Sequence, residues 1–248
     1  MIIDRLRFRY RHYFLIDDLG KGIASKIIFL IMLGCRVGPN FLPKEYTDFT
    51  ALYDWITTVL TAEEITPEMM VTPLSRENYI FIALSFLALY ICSILALLYS
   101  GLFTRHLRNL TDMNPNIPLS KFVARYIVLC IIFAVIAMPM AFVIVYLLLL
   151  FFLAIPFLST IAPCYMSGDR KFFDSIGSTI KRTRGHYLLM MRDLCGIILV
   201  YLITNVVITL IELLSPTVAM ALSAAIEIWF YLVFARFCSY QYTITKKN

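Results

Sequence analysis

Apolar residues in this chain run in long unbroken blocks, neither alternating nor confined to short stripes. A helix needs about 20 mostly apolar residues to cross about 30 Å of hydrocarbon. Six blocks meet that length: residues 22–41, 79–103, 122–138, 140–161, 194–214 and 218–240. The third and fourth nearly merge. As one helix, residues 122–163 would reach about 63 Å at 1.5 Å per residue, twice the bilayer. Two spans reversing at Met138-Pro139-Met140 fit better, because proline interrupts the helical ladder. One kinked, strongly tilted helix is the alternative. The pattern predicts an all-α, six-helix transmembrane bundle, a single membrane domain over residues 1–248.

The segments between the blocks carry their own patterns. Residues 43–78 contain Phe49, Leu52, Tyr53, Ile56, Val59 and Leu60 at helical spacing. Thr47 or Asp48 would cap the start of that helix, and Pro67 lies beyond its end. Such a helix lies on a leaflet or lids the bundle, and it could also dock a partner or gate a cavity. Within the basic N-terminal segment 1–21, Ile2, Ile3, Leu6, Tyr10, Tyr13 and Phe14 fit an interfacial helix. Alternation over Arg5–Arg11 also permits a short strand. In the segment 166–193, Phe172, Phe173, Ile176 and Ile180 form a stripe, with Asp169 as N-cap and Gly185 as stop. Its apolar and basic residues Phe172, Phe173, Ile176, Lys181, Arg182 and Arg184 are candidate contacts for a cytoplasmic partner. The plainer reading is a connector anchored on headgroups.

Composition closes off other classes. Of the residues, 60% are hydrophobic and 15% charged, with mean hydropathy +0.80. Soluble domains run at about 45–50% apolar and about 25% charged. A soluble enzyme, a disordered chain and a secreted disulfide scaffold are excluded on that ground. The six cysteines are scattered singly, with no CxxC pair or Cys/His cluster, so neither a metal nor a disulfide framework is expected. Net charge is +6. Of the 22 Lys and Arg, all but Arg36, Lys44 and Arg76 fall on one side of the predicted topology. Positive charge marks the cytoplasmic face, so both termini are expected inside. Anionic lipid accounts for the basic side without nucleic acid. The opposite loop is acidic: Glu45, Asp48, Asp54, Glu63, Glu64, Glu68 and Glu77. No cleaved leader is expected, because the first apolar run begins late and five more follow.

Ionisable residues inside the spans are costly and therefore functional candidates. Arg36 lies about 15 Å beyond Lys26 along the first helix. It sits within Gly34-Cys35-Arg36-Val37-Gly38, a GxxxG match whose Gly34 and Gly38 would permit close helix packing. Glu227 lies in the outer half of the sixth span. Glu212 is near the outer end of the fifth, and Asn205 is mid-span. Arg36 and Glu227 are expected to pair, with Glu212 nearby. The arrangement is either a structural ion pair or a polar site for a substrate or coupling ion. No nucleophile–base constellation, HExxH, P-loop or dinucleotide fingerprint occurs, and no cofactor is implied.

One stretch carries a resemblance. Pro156 and Pro163 lead into "FFDSIGSTIKRTRGHYLLM" and then another span. With Asp174, Ser178 and Arg184-Gly185-His186, residues 151–201 resemble uncharacterised six-span bacterial integral membrane families. These include the membrane domain fused to some glycerophosphodiester phosphodiesterases. The resemblance implies a six-helix bundle in a bacterial cytoplasmic membrane and no established activity. No phosphodiesterase domain is present. The expectation is a non-enzymatic multi-pass protein, an accessory or scaffold subunit of a transport-related complex. Other membrane subunits or a cytoplasmic ATPase would be its partners. The alternatives are an autonomous carrier of a small solute or peptide with a polar intramembrane site, and a lipid-modifying enzyme. A polar cavity holding Arg36 and Glu227 would favour the carrier. A dry core with exposed interfacial helices would favour the subunit.

Overall fold

The computed structural model describes residues 12–15, 23–62, 66, 71–110, 117–146, 148–168 and 171–247, with 137–146, 148, 149, 151 and 245–247 as backbone alone. Every regular element among the described residues is helical. Helix α1 (Ile23–Val37) ends in a 3₁₀ turn, Gly38–Phe41, then come short α2 (Lys44–Thr47) and α3 (Thr50–Thr61). They are followed by α4 (Arg76–Leu110), α5 (Leu119–Tyr146), α6 (Leu148–Ser159), α7 (Ile161–Ser167), α8 (Phe172–Arg184), α9 (Tyr187–Glu212) and α10 (Pro216–Lys247). Among the described residues, five helices are long and apolar enough to cross a membrane: those over Ile23–Phe41, Arg76–Leu110, Leu119–Ile136, Tyr187–Glu212 and Pro216–Ile244. The basic N-terminal residues Arg5–Arg11, Asp169, and Glu63, Glu64, Pro67 and Glu68 lie outside the described residues.

Helix α10 is the central post, and two stripes of its sequence explain why. Ile228, Leu232 and Ala235 share one face and pack on α1 and α4 through Ile28, Met32, Cys92 and Tyr99. Val233 and Phe237 share another and pack on α9 through Met190, Leu194 and Ile197, with Tyr13 completing that cluster. A third cluster joins α5 and α7 through Phe122, Leu129, Tyr165 and Met166. The remaining faces stay apolar and open. On α9, Leu199, Leu202, Ile203, Val206, Val207 and Leu210 are each at least half exposed along one helical face. A water-soluble fold would bury such a row; a helix against hydrocarbon exposes it.

The reversal expected at Met138-Pro139-Met140 is not there. Helix α5 runs through Pro139 to Tyr146. A proline removes a single ladder bond, whereas a turn in hydrocarbon would strand several backbone groups, so passing through costs less. The stretch 140–161 is correspondingly not one helix. It is shared by the end of α5, by α6 with its internal Pro156, and by the start of α7. Among the described residues of this stretch, a break falls at Ser159–Thr160. Pro163 clashes with the carbonyl four residues back, and that carbonyl belongs to Ser159, the last residue of α6. The chain nevertheless doubles back between α5 and α7. Arg125 near the start of α5 donates to Tyr165 O at the end of α7 at 2.8 Å, and Phe122 and Met166 share a cluster.

Gly101 makes that junction close. A Cβ there would come within 2.8 Å of the Phe122 ring and 2.9 Å of the Met166 methyl. The glycines expected to pack helices do not. A Cβ at Gly34 or Gly38 would meet nothing within 4 Å, and Gly38 already lies in the 3₁₀ turn past the end of α1.

Candidate functional site: a polar cavity

Three helix segments meet at one end of the bundle: the last turns of α1 and α9, and the first turns of α10. They border an open cavity of about 340 Å³. Arg36, Asn205, Glu212 and Glu227 all line it, together with Asn40, Thr209 and Ser223. Arg36 stands in the last turn of α1, where the carbonyl end of a helix favours a cation. Its Nε donates to Glu227 Oε2 at 2.8 Å. The pair is not sealed, since the two side chains keep 35% and 22% of their surface exposed. Asn205 donates through Nδ2 to its own helix at Tyr201 O, 2.8 Å away, and Thr209 donates to Asn205 O at 3.1 Å. Glu212 makes no ion pair among the described residues. The contact between Arg36 and Glu227 joins positions far apart in sequence, and helical depth alone predicted their common level. Asn40 went unnoticed because it sits at the very end of the first apolar block, in the 3₁₀ turn past α1, and Thr209 because a lone threonine in a membrane helix ordinarily bonds back to its own carbonyl ladder.

A second polar group lies at the opposite end, and the sequence reading missed it. Asp193 and Gln241 are fully buried. Tyr13 donates its hydroxyl to Asp193 Oδ2 at 2.9 Å, and Gln241 Nε2 donates to the same oxygen at 3.1 Å and to the Tyr13 hydroxyl at 3.1 Å. Arg192 Nη2 reaches Asp193 Oδ1 at 2.9 Å. This clasp ties the N-terminal turn to α9 and α10. Its only signal in the sequence was Arg192-Asp193 at the edge of an apolar run and a lone Gln241 in another.

Arginines read as headgroup contacts also turn inward. Arg108, 3% exposed, donates to Ser167 O, and Arg125 donates to Gly168 O besides Tyr165 O. Arg105 donates to Ile117 O at 2.8 Å. Arg108 and Arg125 thus collect carbonyls at the end of α7, which a short helix leaves without ladder partners. Arg236 is fully buried with its guanidinium 4.4 Å from the Phe103 ring centre.

Helix α8 turns its hydroxyl face to the bundle and part of its apolar stripe outward. Ser175, Thr179 and Thr183 are buried, whereas Phe173 is 81% exposed and Ile180 is at the surface. Phe172 packs edge-on against Tyr165 at 5.3 Å. Phe172, Ile176 and Arg182 are half-buried, and Lys181 and Arg184 are exposed. Small hydroxyls let α8 lie close to the bundle, and Phe173 is left for the surroundings. Gly185 caps the helix, in an ordinary right-handed conformation.

At the cavity end, Ser75 and Asn78 form a capping box at the start of α4. Asn78 N–H donates to Ser75 Oγ at 3.1 Å and Ser75 N–H to Asn78 Oδ1 at 3.1 Å. Asn78 Nδ2 then donates to Asp48 O at 2.9 Å, tethering the loop between α2 and α3. Among the described residues no three His, Cys, Asp or Glu side chains converge on a metal site. Comparison with known proteins yields no match: no family model, no curated protein and no solved structure is similar to this chain. The resemblance over residues 151–201 therefore assigns no family.

Proposed function

We propose that this is a multi-pass membrane protein that binds a small polar solute in the cavity between α1, α9 and α10, as an autonomous carrier. One observation carries the reading: Arg36, Asn205, Glu212 and Glu227, from three helices, converge on one cavity of about 340 Å³. Ionisable groups at membrane depth are expensive and persist where they line a substrate path or a water-filled space. A purely structural ion pair needs no cavity beside it. Solute pockets begin at about 300 Å³, the size found here. The reading includes six passes with both termini on the cytoplasmic side of a bacterial cytoplasmic membrane, α5 and α6–α7 being the third and fourth. The inward-turned chain reversal between α5 and α7 supports that count.

The accessory-subunit reading has its own support. Tyr53 and Leu60 on α3 are 70% and 80% exposed, a surface suited to a leaflet or to another membrane subunit. The test separates the two. Purified protein in lipid nanodiscs is screened by thermal unfolding against small polar solutes, beside Glu227→Gln. A carrier shows solute-dependent stabilisation that the variant weakens. Solutes that stabilise neither protein would overturn the reading and leave the subunit role.

A further inference from the structure

Resting on that reading, we infer that the solute is a small organic monocation: an ammonium held by Glu212, with a neutral oxygen acceptor held by Arg36. The charge arithmetic comes first. The cavity is lined by one guanidinium and two carboxylates, Arg36 against Glu212 and Glu227. Arg36 and Glu227 neutralise each other at 2.8 Å. Glu212 has no ion pair or hydrogen bond among the described residues, so one negative charge stands without a counter-ion in the cavity wall. At the rim of the cavity such a charge is matched most strongly by a cation that enters with its ammonium toward it.

The hydrogen-bond geometry adds the second requirement. Arg36 spends only Nε on Glu227. A guanidinium carries five N–H donors in a planar fork, and those on its two terminal nitrogens have no partner among the described residues. They need an acceptor. A carboxylate on the solute would compete with Glu227 and leave the site with an uncompensated negative charge. An amide carbonyl or a hydroxyl satisfies the fork at no such cost. Asn205 and Thr209 line the same wall and supply further polar contacts.

The experiment measures binding of four probes to the full chain in nanodiscs: L-alaninamide, L-alanine, N-acetyl-L-alanine and 1,2-propanediol. They are respectively a monocation with a carbonyl, a zwitterion, an anion and a neutral polar molecule. Alaninamide is expected to bind tightest, by about tenfold or more over alanine, the worth of one charge-assisted contact. The anion is expected to bind weakest. Glu212→Gln is expected to keep the fold, since this side chain is exposed, and to erase the preference for the amide. Equal or tighter binding of alanine, or an unchanged preference in Glu212→Gln, would overturn the monocation assignment while leaving the polar-solute reading intact. Failure of all four probes, with the wild-type protein folded, would overturn both.

Discussion

Two polar groups at opposite ends of the bundle share nearly the same ingredients. Asp193 and Glu212 stand about 28 Å apart along α9 at 1.5 Å per residue. At one end a carboxylate, a tyrosine, a glutamine and an arginine close on one another, and Asp193 and Gln241 are shut from solvent. At the other, an arginine and two carboxylates border a cavity and stay partly exposed. The difference is saturation. Both oxygens of Asp193 accept bonds from other side chains, so the clasp has nothing left to offer a ligand. The fork of Arg36 and the carboxylate of Glu212 have capacity left. A charged residue in a membrane helix marks a site when its surroundings leave it unsaturated and give it space, and marks a joint when they do not.

The largest test of this contrast is Asp193→Ala. It takes the shared acceptor from two buried donors, Tyr13 and Gln241, and at about 1.5–3 kcal/mol for each bond to a charged group is expected to cost about 3–5 kcal/mol, with loss of folded protein in detergent. A change near zero would mean the clasp is not a joint. Gly101→Ala is next. The new methyl meets Phe122 and Met166 and is expected to destabilise by about 1–3 kcal/mol, while Gly34→Ala is neutral or slightly stabilising. Thermal unfolding of the two variants side by side decides which glycine packs helices. With the cavity filled by water, as a solute site requires, Glu227→Ala should cost only about 1 kcal/mol, the pair being exposed to 35% and 22%. Adding Arg36→Ala should restore part of it in a double-mutant cycle. A loss as large as that of Asp193→Ala would erase the contrast between the two ends.

The smallest effect belongs to a polar device in full contact with water. Asp48 accepts the Thr50 hydroxyl at 2.6 Å and the Thr50 N–H at 3.0 Å, and these bonds hold its carboxyl below the ordinary value of 3.8. A lowered pKa means that the stabilisation is present above 3.8 and is lost as pH falls through the lowered value. Amide exchange at the start of α3 should therefore quicken only in that acidic range. Asp48→Asn should flatten this dependence.

How much was legible follows from range. Block length made the membrane helices readable, because crossing hydrocarbon constrains each helix separately. Helical depth put Arg36 and Glu227 at one level, and their meeting needed only adjacent helices. Local rules failed where neighbours decided. Pro139 looked like a break and is carried through, while Pro163 ended the helix at Ser159. The apolar stripe of α8 pointed to an anchor or a partner contact, and nothing in the pattern showed that its hydroxyl face packs on the bundle. Gly34 and Gly38 matched a packing motif, and Gly101, in no motif, does the packing.

The sequence by itself determined that this is a helical chain built for hydrocarbon and which ionisable residues lie within its apolar blocks. Those are properties of single segments and of their solvent. Only the tertiary structure decided which of those residues are spent on one another, which carbonyls the basic arginines collect, and where space is left over. Those depend on the distances between segments, and a cavity is a property that belongs to no segment at all.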